Sequence, residues 1–281
     1  EPTTSPIFRP FSSTVNPRVE MRFTGAGMAA ESFGRRYVMD SYTSVPAIWS
    51  MRDCALWNVV FLNDSPNAAH NFSFANNRWL RGHLYLDQDT GPAYSLGMHN
   101  NLWLGGRVFL NSYTGSGLWT LYDNLFDVTT NSAPAGTSWT AVDNAYRSAT
   151  TFGGLSNVTV TVAEHLTGHL GTNYYPSANG AGGGFTQLLG AGFRTGPVAG
   201  LFHHVIATNL VPVGTGAVGI GFHHLRTTTT GVPLDTDGDG IPDWMEDVNG
   251  DGTVQTATET PWNASDGAGP GAIRLVVFRN P

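Results

Sequence analysis

The residues best suited to chemistry lie in one acidic stretch, LDTDGDGIPDWMEDVNGDGTVQTATETPWNASDG, from Leu234 to Gly267. Asp235, Asp237, Asp239, Asp243 and Glu246 occupy positions 1, 3, 5, 9 and 12 of a twelve-residue loop. Gly240 stands at position 6, where such a loop turns sharply, and the carbonyl of Ile241 falls at position 7. Carboxylates and one backbone oxygen at this spacing wrap a hard cation, and the donor set is that of calcium. A second register starts at Asp247 and continues through Asn249, Asp251, Gly252 and the carbonyl of Thr253. Its position 9 is Gln255 and its position 12 is Thr258. Glu259 comes one residue late, so the second loop either bulges or lacks a bidentate carboxylate. The spacing predicts calcium as cofactor, with two ions.

Gly231, Pro233, Pro242 and Pro261 interrupt any helix around these loops. Tandem calcium loops without flanking helices resemble the thrombospondin type 3 calcium repeats of secreted bacterial proteins. DVNGDGTV alone resembles a dockerin loop, but the helix that follows such a loop is missing. The resemblance covers about 30 residues; it implies a calcium-binding segment and says nothing of the body. A solvated acidic linker is the bland alternative, and a glycine at position 6 in both registers argues against it.

Other clusters are weaker. Glu164, His165 and His169 could suit a metal on a helix, but NVTVTVAEHL reads as strand, where residues four apart stand about 13 Å apart. His203–His204 and His223–His224 occupy matching places in a sequence echo and read as packed structural histidines rather than metal ligands. No nucleophile elbow, P-loop or dinucleotide fingerprint is present, and GAGGGF, from Gly180 to Phe185, precedes no helix that could hold a phosphate. A carboxylate pair among Asp40, Asp53, Asp87, Asp89, Asp123 and Glu164 could serve glycoside hydrolysis only through spatial closeness. The chain is therefore read as a non-enzyme. Asn71, Asn157 and Asn263 lie in glycosylation sequons, as does Asn63, which Pro66 handicaps.

Positioning falls to β-structure. VEMRF, LWNVVFL, WLRGHLYLD, LWLGGRVFLN, GLWTLYDNLF and NVTVTVAEHL are short, β-branched and aromatic, with Gly, Asn and Asp between them. SWTAVDNAYRSA, about residues 138–149, reads as the one helix, with Ser138 as its N-cap. NNRWLRGHLYLD (Asn76–Asp87) returns as NNLWLGGRVFLN (Asn100–Asn111), aligning Trp79 with Trp103, Leu80 with Leu104, Gly82 with Gly106 and Tyr85 with Phe109. TGPVAGLFHHV (Thr195–Val205) is echoed by TGAVGIGFHHL (Thr215–Leu225). The offsets match a strand with its return connection. The fold predicted is all-β, a β-sandwich or jelly roll, followed by the tandem loops and a terminal strand. A solenoid-like stack is the alternative, set aside because two echoes fall short of the three or more repeats a solenoid generally needs. The domains expected are an extended arm at 1–17, a β-rich body at 18–232, calcium loops at 233–267 and a strand at 268–281.

Of 281 residues, only 12% are charged, and all fourteen basic residues are Arg, which excludes lysine chemistry. The net charge of −7 comes from the loop segment, since nine of the twenty-one acids lie between Asp235 and Asp266. The rest is close to neutral, so no nucleic-acid stripe and no membrane-surface patch is expected. The apolar run from Pro197 to Phe222 contains His203, His204, Asn209 and Pro212 and is no membrane span. Cys54 is alone and forms no internal disulfide. Loops of this kind fill at extracellular calcium levels; Glu1 is consistent with removal of a signal peptide. The reading is a secreted, calcium-stabilised structural protein that joins copies of itself head-to-tail by strand addition. The donor strand would be Ile273–Phe278, through Ile273, Leu275, Val277 and Phe278. A carbohydrate-binding or polysaccharide-active protein, with glycans as partner and the loops as spacer, is the alternative.

Overall fold

The computed structural model describes residues 18–265, apart from 23–24, 28–36, 41–44, 64–67, 89–92, 113–117, 134–138, 161–165, 169–170, 176–186 and 207–209. Each repeat of the sequence folds as one coil of three short strands, and successive coils stack strand upon strand in parallel. The first coil is β1 (Arg18–Arg22), β2 (Gly25–Gly27) and β3 (Tyr37–Asp40), and the second is β4 (Ile48–Arg52), β5 (Ala55–Trp57) and β6 (Val60–Asn63). Next come β7 (Asn71–Ala75), β8 (Arg78–Leu80) and β9 (His83–Gln88), then β10 (Ser95–His99), β11 (Leu102–Leu104) and β12 (Arg107–Ser112). β13 (Trp119–Tyr122), β14 (Leu125–Asp127) and β15 (Thr130–Ser132) follow. β16 (Trp139–Val142), β17 (Ala145–Arg147) and β18 (Val158–Thr159) close the stack. Three parallel sheets result, in the orders β1-β4-β7-β10-β13-β16, β18-β17-β14-β11-β8-β5-β2 and β15-β12-β9-β6-β3. The hairpin of β19 (Leu166–Gly168) and β20 (Gly171–Tyr175) is the antiparallel exception.

The molecule is a parallel β-solenoid, not the β-sandwich or jelly roll expected. The echo of Asn76–Asp87 in Asn100–Asn111 is a pair of equivalent strand sets that pair in parallel on adjacent coils, whereas Thr195–Val205 and Thr215–Leu225, also expected to be equivalent strands, form no strand and pair only at the isolated antiparallel bridges Thr195–Ala217 and His204–Leu225. Trp103 lies opposite Trp79, and Phe109 opposite Tyr85. The expected helix near 138–149 is instead β16 and β17. Its small residues Ala141 and Ala145 are buried, Ala141 in the coil interior and Ala145 on the outer side of the second sheet beneath Leu188 and Ile220. The arm at 1–17, the strand 268–281 with Ile273, Leu275, Val277 and Phe278, and Glu164, His165 and His169 lie outside the described residues.

In strands such as β4, β7, β9 and β10, alternate residues point inward and stack from coil to coil. Trp49, Trp79, Trp103 and Trp119 are fully enclosed. The Trp79 and Trp103 rings stack at 4.4 Å, and Phe126 and Tyr146 continue the column at 5.2 Å. Glycine is required where coils approach closely: at Gly106 (φ +87°) a Cβ would stand 2.0 Å from the carbonyl oxygen of Gly82.

The bend from the first sheet to the second repeats a two-residue device. Asp53, Asn76, Asn100, Asp123 and Asp143 take left-handed φ of 52° to 59°, a conformation that Asn and Asp tolerate better than most residues. The following residue turns inward. Asn77, Asn101, Asn124 and Asn144 form a buried ladder in which each amide Nδ2 donates to the next Oδ1, at 3.1, 2.9 and 2.9 Å. Each Nδ2 also donates to a strand carbonyl, those of Met51, Phe74, Met98 and Leu121. Each Oδ1 above Asn77 further accepts the backbone N–H of the residue below, so the interior amides are satisfied in register. Cys54 holds the corresponding place in the second coil, its Sγ 3.2 Å from the Arg52 carbonyl.

Residues 187–265 run back over the solenoid with little regular structure beyond α1 (Gly196–Ala199) and α2 (Asp243–Glu246). Leu188, Ile220 and Phe222 cover Leu102, Leu125 and Ala145 on the outer side of the second sheet. We call this return segment the clasp.

Candidate metal centre

The clasp is fastened by the outward side chains of the left-handed bend residues. His223 N–H donates to Asn76 Oδ1 at 2.7 Å, and Asn76 Nδ2 donates to the His223 carbonyl at 2.8 Å. Asn100 Nδ2 donates to the Gly219 carbonyl at 2.9 Å. Asp123 accepts from Arg194 Nε at 2.9 Å and from the Phe193 N–H at 2.5 Å. Asp53 accepts from His204 Nε2 at 3.0 Å and Asn76 Nδ2 at 2.7 Å. Arg22 Nε and Arg52 Nε lie 3.3 and 3.2 Å from its other oxygen. Burial works to raise the Asp53 carboxyl, but His204, Arg52 and Arg22 outweigh it and hold it well below the usual range. Burial pushes His204 down, and Asp53 beside it partly offsets the push.

The histidine pairs are thereby accounted for. His203 turns to the acidic segment and His204 to the solenoid, while His223 places Nδ1 and Nε2 each 3.0 Å from a carbonyl, of Val205 and Gly219. Of the carboxylates considered for catalysis, Asp53 and Asp123 are buried fasteners of the clasp, and Asp87 pairs with Asn111 Nδ2 at 2.8 Å on the third sheet. Asp89 and Glu164 lie outside the described residues, as does the side chain of Asp40. Asn71 and Asn263 are exposed; Asn157 is half-buried and donates to the Gly153 carbonyl at 2.9 Å.

In the acidic segment, Asp235, Asp237 and Asp239 each bring an oxygen within 4.8 Å of the others. The loop backbone forces this convergence. Gly238 and Gly240 N–H donate to the two Asp235 oxygens, Asp239 N–H to Asp237 Oδ1, and Ile241 N–H to Asp239 Oδ1. These bonds use both Asp235 oxygens and Oδ1 of Asp237 and Asp239, leaving Oδ2 of Asp237 and of Asp239 outside them. Asp239 is 3% exposed, and its Oδ2 is buried without a hydrogen-bond donor; Asp237 Oδ2 is likewise buried and without one. A buried carboxylate oxygen with no donor is costly unless a cation meets it. Burial, with Asp239 and Asp235 beside it, pushes Asp237 above its ordinary pKa.

The other expected ligands are not members of this group of three. Asp243 braces the loop by accepting from Thr236 N–H at 2.6 Å and Thr236 Oγ1 at 2.7 Å. Glu246 is buried at the end of α2, and Ile241 is half-buried. In the second register the backbone N–H groups of Gly250, Asp251 and Gly252 point at Asp247. Asp251 Oδ2 accepts from the amides of Asn249 and Gln255, and its Oδ1 from Thr253 N–H. Glu259 reaches back to the N–H groups of Asn249 and Gln255. Among the described residues no second group of three carboxylates converges as the first does.

Sequence reasoning missed what ties this segment down. His203 stands between the two registers, with Nε2 2.9 Å from Asp247 Oδ2 and Nδ1 3.7 Å from Asp243 Oδ2, and with the Trp262 ring against it at 5.0 Å. Burial opposes ionisation of Asp247, but the bonds from His203 and from Gly252 and Gly250 hold it below its ordinary pKa. Arg22 donates to the Val248 carbonyl at 2.9 Å, and Arg52 to those of Asn249 and Gly200. The paired HH dipeptides were the available signal, since adjacent histidines facing opposite ways can bridge two bodies.

Fold and site together define a parallel β-solenoid carrying an acidic, oxygen-donor loop on its clasp. Compared with family models, curated proteins and solved structures, the chain matches none. Among the described residues no helix is long and apolar enough to cross a membrane.

Proposed function

We propose that this chain is an extracellular structural module, a β-solenoid rod whose clasp is locked by calcium and which joins copies of itself head-to-tail. The observation that carries the reading is the Asp235–Asp237–Asp239 cluster with the donorless, buried Oδ2 of Asp239. All its donors are carboxylate oxygens, the set that selects a hard cation over zinc or copper. Calcium at the first register would stiffen a segment already hydrogen-bonded to the first two coils through Arg22 and Arg52, so metal binding couples to closure of the clasp. The head-to-tail arrangement draws support from the solenoid itself. Its two ends present different strands, β1 and β16 in the first sheet, and pairing one end with the other is a heterologous contact that propagates.

Sedimentation velocity of the full chain, in millimolar calcium and in chelator, tests both parts. The expected result is a concentration-dependent series of oligomers in calcium and a shift toward monomer in chelator. Monomers at every concentration would end the assembly reading. A melting temperature identical with and without calcium would end the calcium reading.

A further inference from the structure

The outer face of the second sheet carries two rows of side chains, and among the described residues the clasp's apolar cluster takes only one. Arg78, Leu102, Leu125 and Ala145 stand in register across the sheet, and Leu188, Ile220 and Phe222 cover the last three. The neighbouring row, Trp57, Leu80 and Leu104, is equally in register and stays outside that cluster. With Val128 on the next coil it lines an open furrow of about 510 Å³ along the bend into the third sheet. Trp57 is 43% exposed and Val128 50%, so the furrow ends in two large apolar side chains half in water. The bend residues Asn58, Arg81, Gly105 and Val128 all have positive φ, 52° at Val128. A β-branched residue is a genuine outlier in that conformation, and strain of this kind marks places that meet a partner. The N–H groups of these four residues each donate to a carbonyl of the next coil. A guest is therefore held by apolar side chains and not by a strand ladder.

We infer that this furrow seats the apolar segment Ile273–Phe278 of the same chain. Ile273, Leu275 and Val277 alternate along that segment. Extended, they span ~13 Å, and Trp57 to Val128 crosses three coil spacings, ~14 Å. The tether is long enough. The Trp262 ring lies against Phe202 and His203 at 5.5 and 5.0 Å, and the adjoining His204 bonds Asp53 in the second coil. Trp57 follows Asp53 along that coil at no more than ~14 Å, whereas the chain from Trp262 to Ile273 extends to ~35 Å. The seat also continues an existing interface. Covered and bare rows are neighbours on β8 and β11, so the segment widens the cover that Leu188, Ile220 and Phe222 begin. Tethering favours it over a second copy, since a short linker holds its guest at roughly millimolar effective concentration. The segment thus has a place on its own chain instead of the donor role that its apolar pattern suggests. Contact between solenoid ends and calcium binding are independent of it.

Leu104→Cys, made in the full chain and in a chain ending at Gly267, tests this at submicromolar concentration, with alkylation at position 104 read by mass spectrometry. Labelling should be about tenfold slower in the full chain, as for a site reached only through local opening. Val128→Cys, at a position already half in water, repeats the measurement should Leu104→Cys lower the melting temperature. Leu104→Cys combined with Leu275→Cys should close a disulfide within one chain, running as a monomer on non-reducing electrophoresis. Equal labelling of the long and short chains would overturn the inference. So would protection that survives this truncation but is lost on removing residues 1–17, which gives the furrow to the N-terminal arm. A disulfide that joins two chains would overturn it as well, giving the furrow to a second copy.

Discussion

Replacing Asp239 with Ala removes the buried oxygen that no donor reaches, and with it one corner of the carboxylate cluster. Three carboxylates this close repel one another, each pair by about 1 kcal/mol even at the dielectric of water, so the cluster is held open by the loop and closed by a cation. Asp239→Ala should lower calcium stoichiometry by at least one ion in calorimetry; unchanged stoichiometry would reject this ligand assignment. The cluster was legible in the sequence because its members are local, spaced two residues apart in a loop whose glycines fix the turn. The partners that anchor it were not. His203 meets Asp247, and Arg52 meets Asn249 across 197 residues of chain, and no local spacing encodes such contacts. The late Glu259 shows the limit from the other side. The sequence registers it as out of place, and only the backbone N–H groups of Asn249 and Gln255 explain where it goes.

At the scale of elements, the misreading of solenoid as sandwich has a physical cause. Parallel sheets buried on both faces read as continuous apolar runs, whereas antiparallel sheets with one wet face alternate. A solenoid strand is parallel yet keeps one face outside, as in β9 with Leu84, Leu86 and Gln88 buried and His83, Tyr85 and Asp87 turned out. Its sequence therefore alternates like a sandwich strand. The repeated bend was visible as Asn76-Asn77 and Asn100-Asn101, but its other copies are Asp53-Cys54, Asp123-Asn124 and Asp143-Asn144. What recurs there is a left-handed backbone and an inward side chain, an amide in every copy but Cys54, rather than an identical pair. The bends and strands also bury histidines that cannot easily charge. Burial pushes His70 down to about 4 and His99 to about 3, the latter with Arg194 adding to the effect, and His70 Nδ1 accepts the Ala47 N–H at 3.0 Å. Both folded values lie below the ordinary 6.5, so the unfolded chain binds more protons across the interval between. The stability they protect is complete above pH 6.5 and declines as pH falls toward 4 and 3, by about 3 kcal/mol for His70. Urea midpoints measured from pH 7 to pH 4 should fall, with less of the loss in His70→Gln; a flat profile would place these rings in contact with water.

For the whole molecule, the clasp meets the solenoid through polar contacts along one row of bends and a small apolar patch over the second sheet, while the solenoid holds its own aromatic column. Their stabilities should separate. In chelator, amide exchange should rise around residues 200–205 and 223, while strands β7 to β14 keep their protection. Uniform exchange in both regions would mean a single cooperative unit. The fastening has one more consequence. Asp53, Asn76, Asn100 and Asp123 come from four successive coils, and the clasp engages each with a different partner, from His204 to Phe193. A solenoid alone has no preferred length, because every added coil repeats the last contact. Excising residues 77–100 would rejoin Asn76 to Asn101 and leave a coherent stack, yet the clasp would find its fourth attachment, Asp123, where it expects its third, Asn100. The return segment is thus a gauge: it counts coils, and the chain can gain or lose a repeat only if the gauge is recut to match.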